Sequence, residues 1–579
     1  MSIETRTRVL GVLFLAFALA LLARLFYWQV REGAALAAEG SSQHLLGAQV
    51  SAPRGNIYAS DGSLLVASIQ SWTVYAALPE LTLDPKSVAN TLAPYLVNIP
   101  EPKEDEEVDE QRLLLNEANR LEALLTRGDV VWVPLGRDVS TETKEQIENL
   151  EIEGVGFEAT ESREYAEASA AAHLLGFVGK NDNGADTGYF GIEGFYDLTL
   201  SGKPGFIKRE KDATGVPLLF GAEKDISAFP GVDLITNLDK TVQVKIEKAL
   251  GEALERYGAQ AGTVIVMNPK TGGILGMASS PGYDPREYYD YGDALFRNPS
   301  ISDSFEPGSI FKPIVMASAL DAGVVEPNTI CDSCHEPLKV DKYFIKTWNN
   351  EYTSDATMVD VIKNSDNVGM AFVGARLGAD RMYDYITSFG FGKLTGIDLQ
   401  GEASPKVRER GGWNVVDLAT TSFGQGIAAT PIQMVKAIAT IANDGVSVAP
   451  QVVDKVAVGG VEDDIKPVLG DRVISKVAAD QITDMMVTAV KDGEAKWAVP
   501  KGFSIAGKTG TAQIPVEGHY DEDKTIASFV GFAPADDPKM VMLVTLREPE
   551  SSPWASETAA PLWFSIALDL FPHFGIRPE

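Results

Sequence analysis

Apolar residues run almost unbroken from position 9 to position 28, with Arg24 the one charged interruption. A run of that length crosses a hydrocarbon layer of about 30 Å as a helix, and Tyr27 and Trp28 fall where interfacial aromatics sit. It reads as an uncleaved anchor, with Ala35-Leu36-Ala37 supplying the rival reading of a cleaved leader. Arg6 and Arg8 on one flank face Arg24 and Arg31 on the other, so charge leaves the orientation open; a short tail inside and the bulk outside is the simpler topology. Farther on, the pattern over 52–58, then Asp61-Gly62, predicts a strand, a tight turn and a second strand over 64–67. Leucines at helical spacing predict a helix over 111–125, and residues 141–150 read as another. The acidic run 101–110 between them is too charged to pack and reads as an exposed loop.

The pattern becomes more regular near residue 234. Residues 242–257 follow Leu238-Asp239 as an amphipathic helix, and 262–267 with 273–278 form a hairpin through Pro269-Lys270-Thr271-Gly272. Thr430-Pro431-Ile432-Gln433 combines a capping box with proline at the first helical position, and Asn443-Asp444-Gly445 stops the helix it opens. Two more strands lie within 528–546, and 561–571 closes the chain as an amphipathic helix. Strands, an all-helical insert, then strands again describe an α+β fold, a mixed sheet flanked by helices. The expected division is an anchor with a short cytoplasmic tail over 1–30, a first domain over 31–232 and a second over 233–579.

Composition narrows the function classes. Of 579 residues, 50 are Lys or Arg and 81 Asp or Glu, a net charge of −31. Such a surface repels a polyphosphate backbone, which argues against nucleic-acid binding and for an acidic domain in solution.

The candidate chemistry lies in FEPGSIFKPIVMASAL, residues 305–320. A helix starting near Ser309 puts that serine and Lys312 on one face, one turn apart. Serine needs a base to become a nucleophile, and an amine serves only if its pKa is depressed. Burial in the apolar run 314–320 and a second nearby cation would both depress it. Alone, the pair reads more readily as a helix N-cap followed by a solvated lysine. Ser365-Asp366-Asn367 and Lys508-Thr509-Gly510-Thr511 change that reading, because three short matches in order are far more specific than one.

Other patterns compete. Residues 502–509 match the phosphate-loop pattern GxxxxGKT, but alternate like a strand and run on extended into Pro515, so no helix follows to aim amides at a phosphate. Cys331-Asp332-Ser333-Cys334-His335 matches a haem-attachment pattern; with two cysteines in the chain, a local disulfide or two free thiols is the plainer reading. His335-Glu336 is followed by Lys339 where a zinc motif needs histidine. His173 reads as a packing histidine. No metal and no cofactor is expected.

The three motifs, with APRGNIYASDG after the anchor, TESREYAEASAAAHLLGFVG, GYFGIEGFYD, TNLD, RNPSISDSFEPGSIFK, SFGQGIAATPIQ and AGKTGTAQ, resemble the class B penicillin-binding proteins over nearly the whole chain. The resemblance implies a peptidoglycan D,D-transpeptidase: a single-pass protein of the bacterial cytoplasmic membrane, with a pedestal (dimerisation-type) domain over 31–232 and an extracytoplasmic penicillin-binding domain over 233–579. It implies that Ser309 attacks the penultimate D-Ala carbonyl of a stem peptide while Lys312 takes the proton. Ser365 then relays a proton to the leaving D-Ala, and Asn367 holds the substrate amide. Lys508 with the hydroxyls of Thr509 and Thr511 receives the terminal carboxylate, and Gly510 completes that motif. The backbone amides of Ser309 and Thr511 form the oxyanion hole. Asp366 stands where many members have serine. The implied partners are stem peptides on lipid-linked precursor or glycan strands, β-lactams as covalent inhibitors, a membrane-embedded glycosyltransferase and other cell-division proteins. The septal branch is the nearer match, through RNPSISDSFEPGS and KTIASFVGFAPADDPK. The elongation branch, a β-lactam hydrolase or sensor, and a non-catalytic scaffold are the other readings.

Overall fold

A computed structural model describes residues 3–33, 36, 45–50, 52–99, 109–166, 170–210, 223–516 and 519–579. The acidic loop expected at 101–110 falls mostly outside the described residues, as do Ala35 and Ala37 of the alternative processing site. Two units are distinct: Met1–Arg54 with Ser201–Gly231, and Gly55–Leu200 with Val232–Glu579.

In the first unit the apolar run forms a helix over Ile3–Phe26, continued by a wider turn over Tyr27–Arg31. None of its side chains is buried, and among the described residues it is the one helix long and apolar enough to cross a membrane. The same unit holds an antiparallel three-stranded sheet of Leu45–Val50, Gly205–Glu210 and Glu223–Ile226.

The second unit contains two large sheets. In the seven-stranded one, the long strand Leu64–Ala77 pairs with Val155–Tyr165 along its length. Ile57–Tyr58 in the same sheet runs parallel to Asp233–Thr236, which in turn pairs with Val453–Val458. Late segments of the chain thus complete a sheet begun by early ones. Both helices expected in this stretch are present, as Glu110–Leu125 and Thr141–Glu148.

The five-stranded sheet carries the site. Its strands are β1 (Ala261–Met267), β2 (Ile274–Ser280), β3 (Ala506–Val516), β4 (His519–Ala533) and β5 (Met540–Arg547), in the order β2-β1-β5-β4-β3, antiparallel throughout. Strand side chains alternate between faces, and here both faces are apolar. Val264, Val266, Phe529, Met542 and Val544 pack against helices α1 (Lys240–Tyr257) and α6 (Ala559–Leu570). Ile265, Met267, Val530, Phe532, Val541 and Leu543 face a second core containing α2 (Lys312–Asp321), α3 (Asn367–Leu377), α4 (Pro431–Ala442) and α5 (Lys476–Asp492). Thr430 and Gln433 make the expected capping box at the start of α4. Helix α2 is apolar on every side and buried from Lys312 to Leu320, as a central helix must be.

Polar pairs in the interior brace the segment 191–200 and the loop at Asp398 against the seven-stranded sheet. Tyr196 donates its hydroxyl to Asp398 at 2.8 Å, and Asp398 also accepts the backbone amides of Val452 and Val453 at 2.6 and 2.9 Å. Arg163 and Glu193 form a buried ion pair at 2.7 Å. His173 packs as expected: its ring meets Tyr283 edge-on, and Nε2 lies 2.9 Å from the Leu295 carbonyl.

Asp398→Ala leaves two buried amides and the Tyr196 hydroxyl without their acceptor, a loss of about 2–3 kcal/mol. The expected outcome is a lower unfolding midpoint for the detergent-solubilised chain; an unchanged midpoint contradicts the bracing role.

Candidate active site

Residues 305–312 are clamped before the helix begins. Phe305 and Ala429 exchange backbone hydrogen bonds at 3.0 and 2.9 Å, and the Gly308 amide donates to the Gly424 carbonyl at 3.0 Å. A Cβ on Gly424, whose φ is +83°, would lie 2.1 Å from the Gly308 oxygen. Only glycine fits there, which accounts for the glycine of SFGQG. Ser309 then lies in a 3₁₀ turn, Gly308–Phe311, and the α-helix proper starts at Lys312. The helix therefore begins three residues later than expected, but a 3₁₀ turn eclipses positions i and i+3 and keeps Ser309 and Lys312 on one face. The Ser309 side chain is half-buried.

Lys312 is 0 % exposed. Its amine donates to the Ser365 carbonyl at 2.6 Å, to Asn367 Oδ1 at 2.7 Å and, at a longer 3.2 Å, to Ser365 Oγ. Ser365 has φ +56°, a left-handed conformation that costs a non-glycine residue about 1 kcal/mol and is met most often at functional sites. It follows a helix ending at Lys363 and precedes α3, whose N-cap is Asp366. Asp366 accepts the amides of Val368 and Gly369 at 2.8 and 3.2 Å, so the middle residue of this motif is an end-cap. The Asn367 side-chain amide donates to the Lys346 carbonyl at 3.1 Å, which presents Oδ1 to Lys312.

Lys508-Thr509-Gly510-Thr511 lies on β3, the end strand of the sheet, in register with Val530 to Ala527 of β4. A Cβ on Gly510 would meet Ile310 Cγ2 at 2.9 Å and the Ile310 amide at 3.0 Å. Glycine is what lets this strand lie against the serine turn. Lys508 is 3 % exposed, and its amine donates to the carbonyl and hydroxyl of Thr509, both at 3.1 Å. The Thr509 hydroxyl donates to Glu494 Oε2 at 3.2 Å, and Thr511 Oγ1 accepts the Ala555 amide at 3.0 Å. Thr509 has thus committed its proton, while Thr511 still has one to give.

Burial, and after it the positive charge of Lys508, hold the Lys312 pKa well below the ordinary lysine value, against opposing pulls from Asp366 and Glu494. Burial also lowers Lys508, and Glu494 opposes it. Burial outweighs the two helix amides and Lys312 in raising Asp366. Desolvation thus dominates all three groups.

The structure brings Lys312, Ser365 and Asn367 into direct hydrogen bonding and lays the strand of Lys508 to Thr511 beside Ser309. Sequence reasoning missed Glu494, and it missed Trp348 and Trp554, whose rings are 5.4 Å apart. No spacing rule links these residues to the motifs. Residues 502–509 enter strand β3 with no helix after it, as a phosphate loop would require, and Cys331 is disulfide-bonded to Cys334, which takes up both thiols of the haem-like pattern.

Two family models match the chain: a penicillin binding protein transpeptidase domain over residues 262–567 and a penicillin-binding protein dimerisation domain over residues 49–236. The stage V sporulation protein D of Bacillus subtilis is 35 % identical over 77 % of this chain and 69 % of its own length. The peptidoglycan D,D-transpeptidase FtsI of Escherichia coli is 29 % identical over 98 % of this chain and 92 % of its own. Among solved structures, penicillin binding protein 2X from Streptococcus thermophilus superposes with a TM-score of 0.73 at 25 % identity, covering 92 % of this chain and 81 % of that one.

Losing the Asp366 cap costs about 1 kcal/mol, whereas serine retains most of a cap's value. Asp366→Ala is therefore expected to lower the denaturant midpoint and Asp366→Ser to keep it near wild type; equal losses in both variants would contradict the capping role.

Proposed function

The chain belongs to the class B penicillin-binding proteins and is a peptidoglycan D,D-transpeptidase; from that premise we propose that Ser309 is its nucleophile and Lys312 its general base. The observation that carries this reading is the hydrogen bonding of the buried amine. A neutral amine has two N–H groups and one lone pair. The Ser365 carbonyl and Asn367 Oδ1, its two close partners, can only accept and so take the two N–H groups. The lone pair is left for a hydroxyl: Ser365 Oγ lies 3.2 Å from the amine, and Ser309 sits on the same face of the turn.

Ser309 Oγ attacks the penultimate D-Ala carbonyl as its proton passes to Lys312. The amides of Ser309 and Thr511 hold the oxyanion, a contribution of about 3 kcal/mol for each donor. Lys312 then returns a proton through the Ser365 hydroxyl to the departing D-Ala amine, breaking the peptide bond and leaving an acyl ester on Ser309. Asn367 aligns the donor's amide. Lys508 and the free hydroxyl proton of Thr511 bind the terminal carboxylate, and Thr509 acts on Lys508 from beside it. An amine from a neighbouring stem peptide attacks the ester, gives its proton to Lys312 and completes the crosslink. A β-lactam acylates Ser309 by the same first step but has no departing fragment to make way for the acceptor.

The N-terminal helix serves as the membrane anchor and residues 233–579 as the catalytic domain on a pedestal over 31–232. We place that domain outside the cytoplasm: an oxidising compartment suits the Cys331–Cys334 bond. The nearly full-length similarity to FtsI supports a septal role beside a membrane-embedded glycosyltransferase and other division proteins, acting on stem peptides of lipid-linked precursor or glycan strands.

Mass spectrometry of the detergent-solubilised chain after fluorescent penicillin is expected to place the adduct on Ser309, with no labelling of Ser309→Ala. Because the base must be neutral, the acylation rate should rise with pH through the lowered Lys312 pKa, with the midpoint of that rise well below the ordinary 10.5. An adduct elsewhere, or a rise centred at the ordinary lysine value, contradicts the assignment.

A further inference from the structure

Lys508 presents a problem of charge. Its side chain is enclosed, and among the described residues its amine hydrogen-bonds only to Thr509, through two uncharged oxygens. To receive a carboxylate it must remain an ammonium, and a buried ammonium with neutral partners tends to lose its proton. Lys312 on α2 adds a second amine nearby, and Lys363 lines the same cavity behind β3, although Asp360 pairs with Lys363 at 2.7 Å. Asp366, at the head of α3, is occupied by two helix amides.

Glu494 is the remaining charged group. It follows Gly493, the C-cap of α5, and lines the cavity with Lys508 and Thr509. Its Oε2 accepts the Thr509 hydroxyl at 3.2 Å, and that hydroxyl's oxygen accepts from Lys508 at 3.1 Å. The three groups form a relay in which the carboxylate polarises the hydroxyl toward the amine. We propose that Glu494 is a positioning residue for the transpeptidase reaction: acting through Thr509, it holds Lys508 charged and aimed where the donor's terminal carboxylate binds. The role rests on the assignment of Ser309 and Lys508 above. It also explains why the Thr509 proton points at Glu494 instead of remaining free for substrate.

Glu494 favours the protonated form of both amines, so its removal has a definite sign. Without that negative charge each lysine loses its proton at lower pH. The acid limb of acylation needs neutral Lys312 and moves down; the alkaline limb needs charged Lys508 and also moves down. A merely structural carboxylate would scale the profile without displacing it.

The test is the pH dependence of acylation of the full-length chain in detergent by fluorescent penicillin, for wild type, Glu494→Gln, Glu494→Asp and Thr509→Val. Glu494→Gln is expected to displace both limbs to lower pH, and on the alkaline side the rate at a given pH should fall roughly tenfold for every pH unit the limb moves. Glu494→Asp should restore most of the wild-type profile. Thr509→Val, which cuts the relay at its middle, should move the alkaline limb the same way. An unmoved profile in Glu494→Gln overturns the role of Glu494 alone, as does a uniform gain at every pH, the mark of a carboxylate that only repels substrate. A wild type that is not acylated at Ser309 overturns this inference together with the assignment beneath it.

Discussion

The site depends on one enclosed amine. Lys312 sits at the head of a helix with no exposed face, and its head group is reached by the backbone of Ser365 and the side chain of Asn367. An amine in that position is expensive to charge, since water is excluded and its close partners are uncharged oxygens. That cost is what makes a lysine useful as a base near neutral pH. Everything around it preserves the enclosure: the apolar residues of α2, the left-handed turn at Ser365, and the cap that ends that turn at Asp366.

The second constraint is close backbone approach. Gly424 against Gly308, and Gly510 against Ile310, bring three stretches of chain within van der Waals distance of one serine. A side chain at either glycine would separate the nucleophile from the strand meant to hold the substrate, and a misplacement of about 1 Å can cost 10²-fold in rate. The five-stranded sheet makes this possible. With both faces packed, β3 is held rigidly at its end, and an end strand keeps backbone groups free to pair with an extended peptide.

Much of this was legible in the chain because local chemistry and tertiary role agree. The capping box at Thr430, the proline after it, and the apolar runs in β1, β4 and β5 each specify an element without outside help. The three motifs were legible because each carries chemistry in adjacent residues. The start of α2 was displaced, because a 3₁₀ turn and the first turn of an α-helix have the same sequence signature. The completion of the seven-stranded sheet by Val453–Val458 was not legible, since pairing across hundreds of residues leaves no periodic trace. Glu494 was hidden for a similar reason: a lone glutamate after a helix reads as a solvated surface residue until the hydroxyl it accepts from is seen.

The most direct measurement is the titration of Lys312 itself, by following the side-chain carbon shifts of isotopically labelled lysines in the unacylated chain, with Lys312→Arg to identify the signal. Lys312 is expected to lose its proton at a pH well below that at which the exposed lysines titrate. A Lys312 that stays fully protonated to the pH at which those exposed lysines titrate would contradict its role as the base.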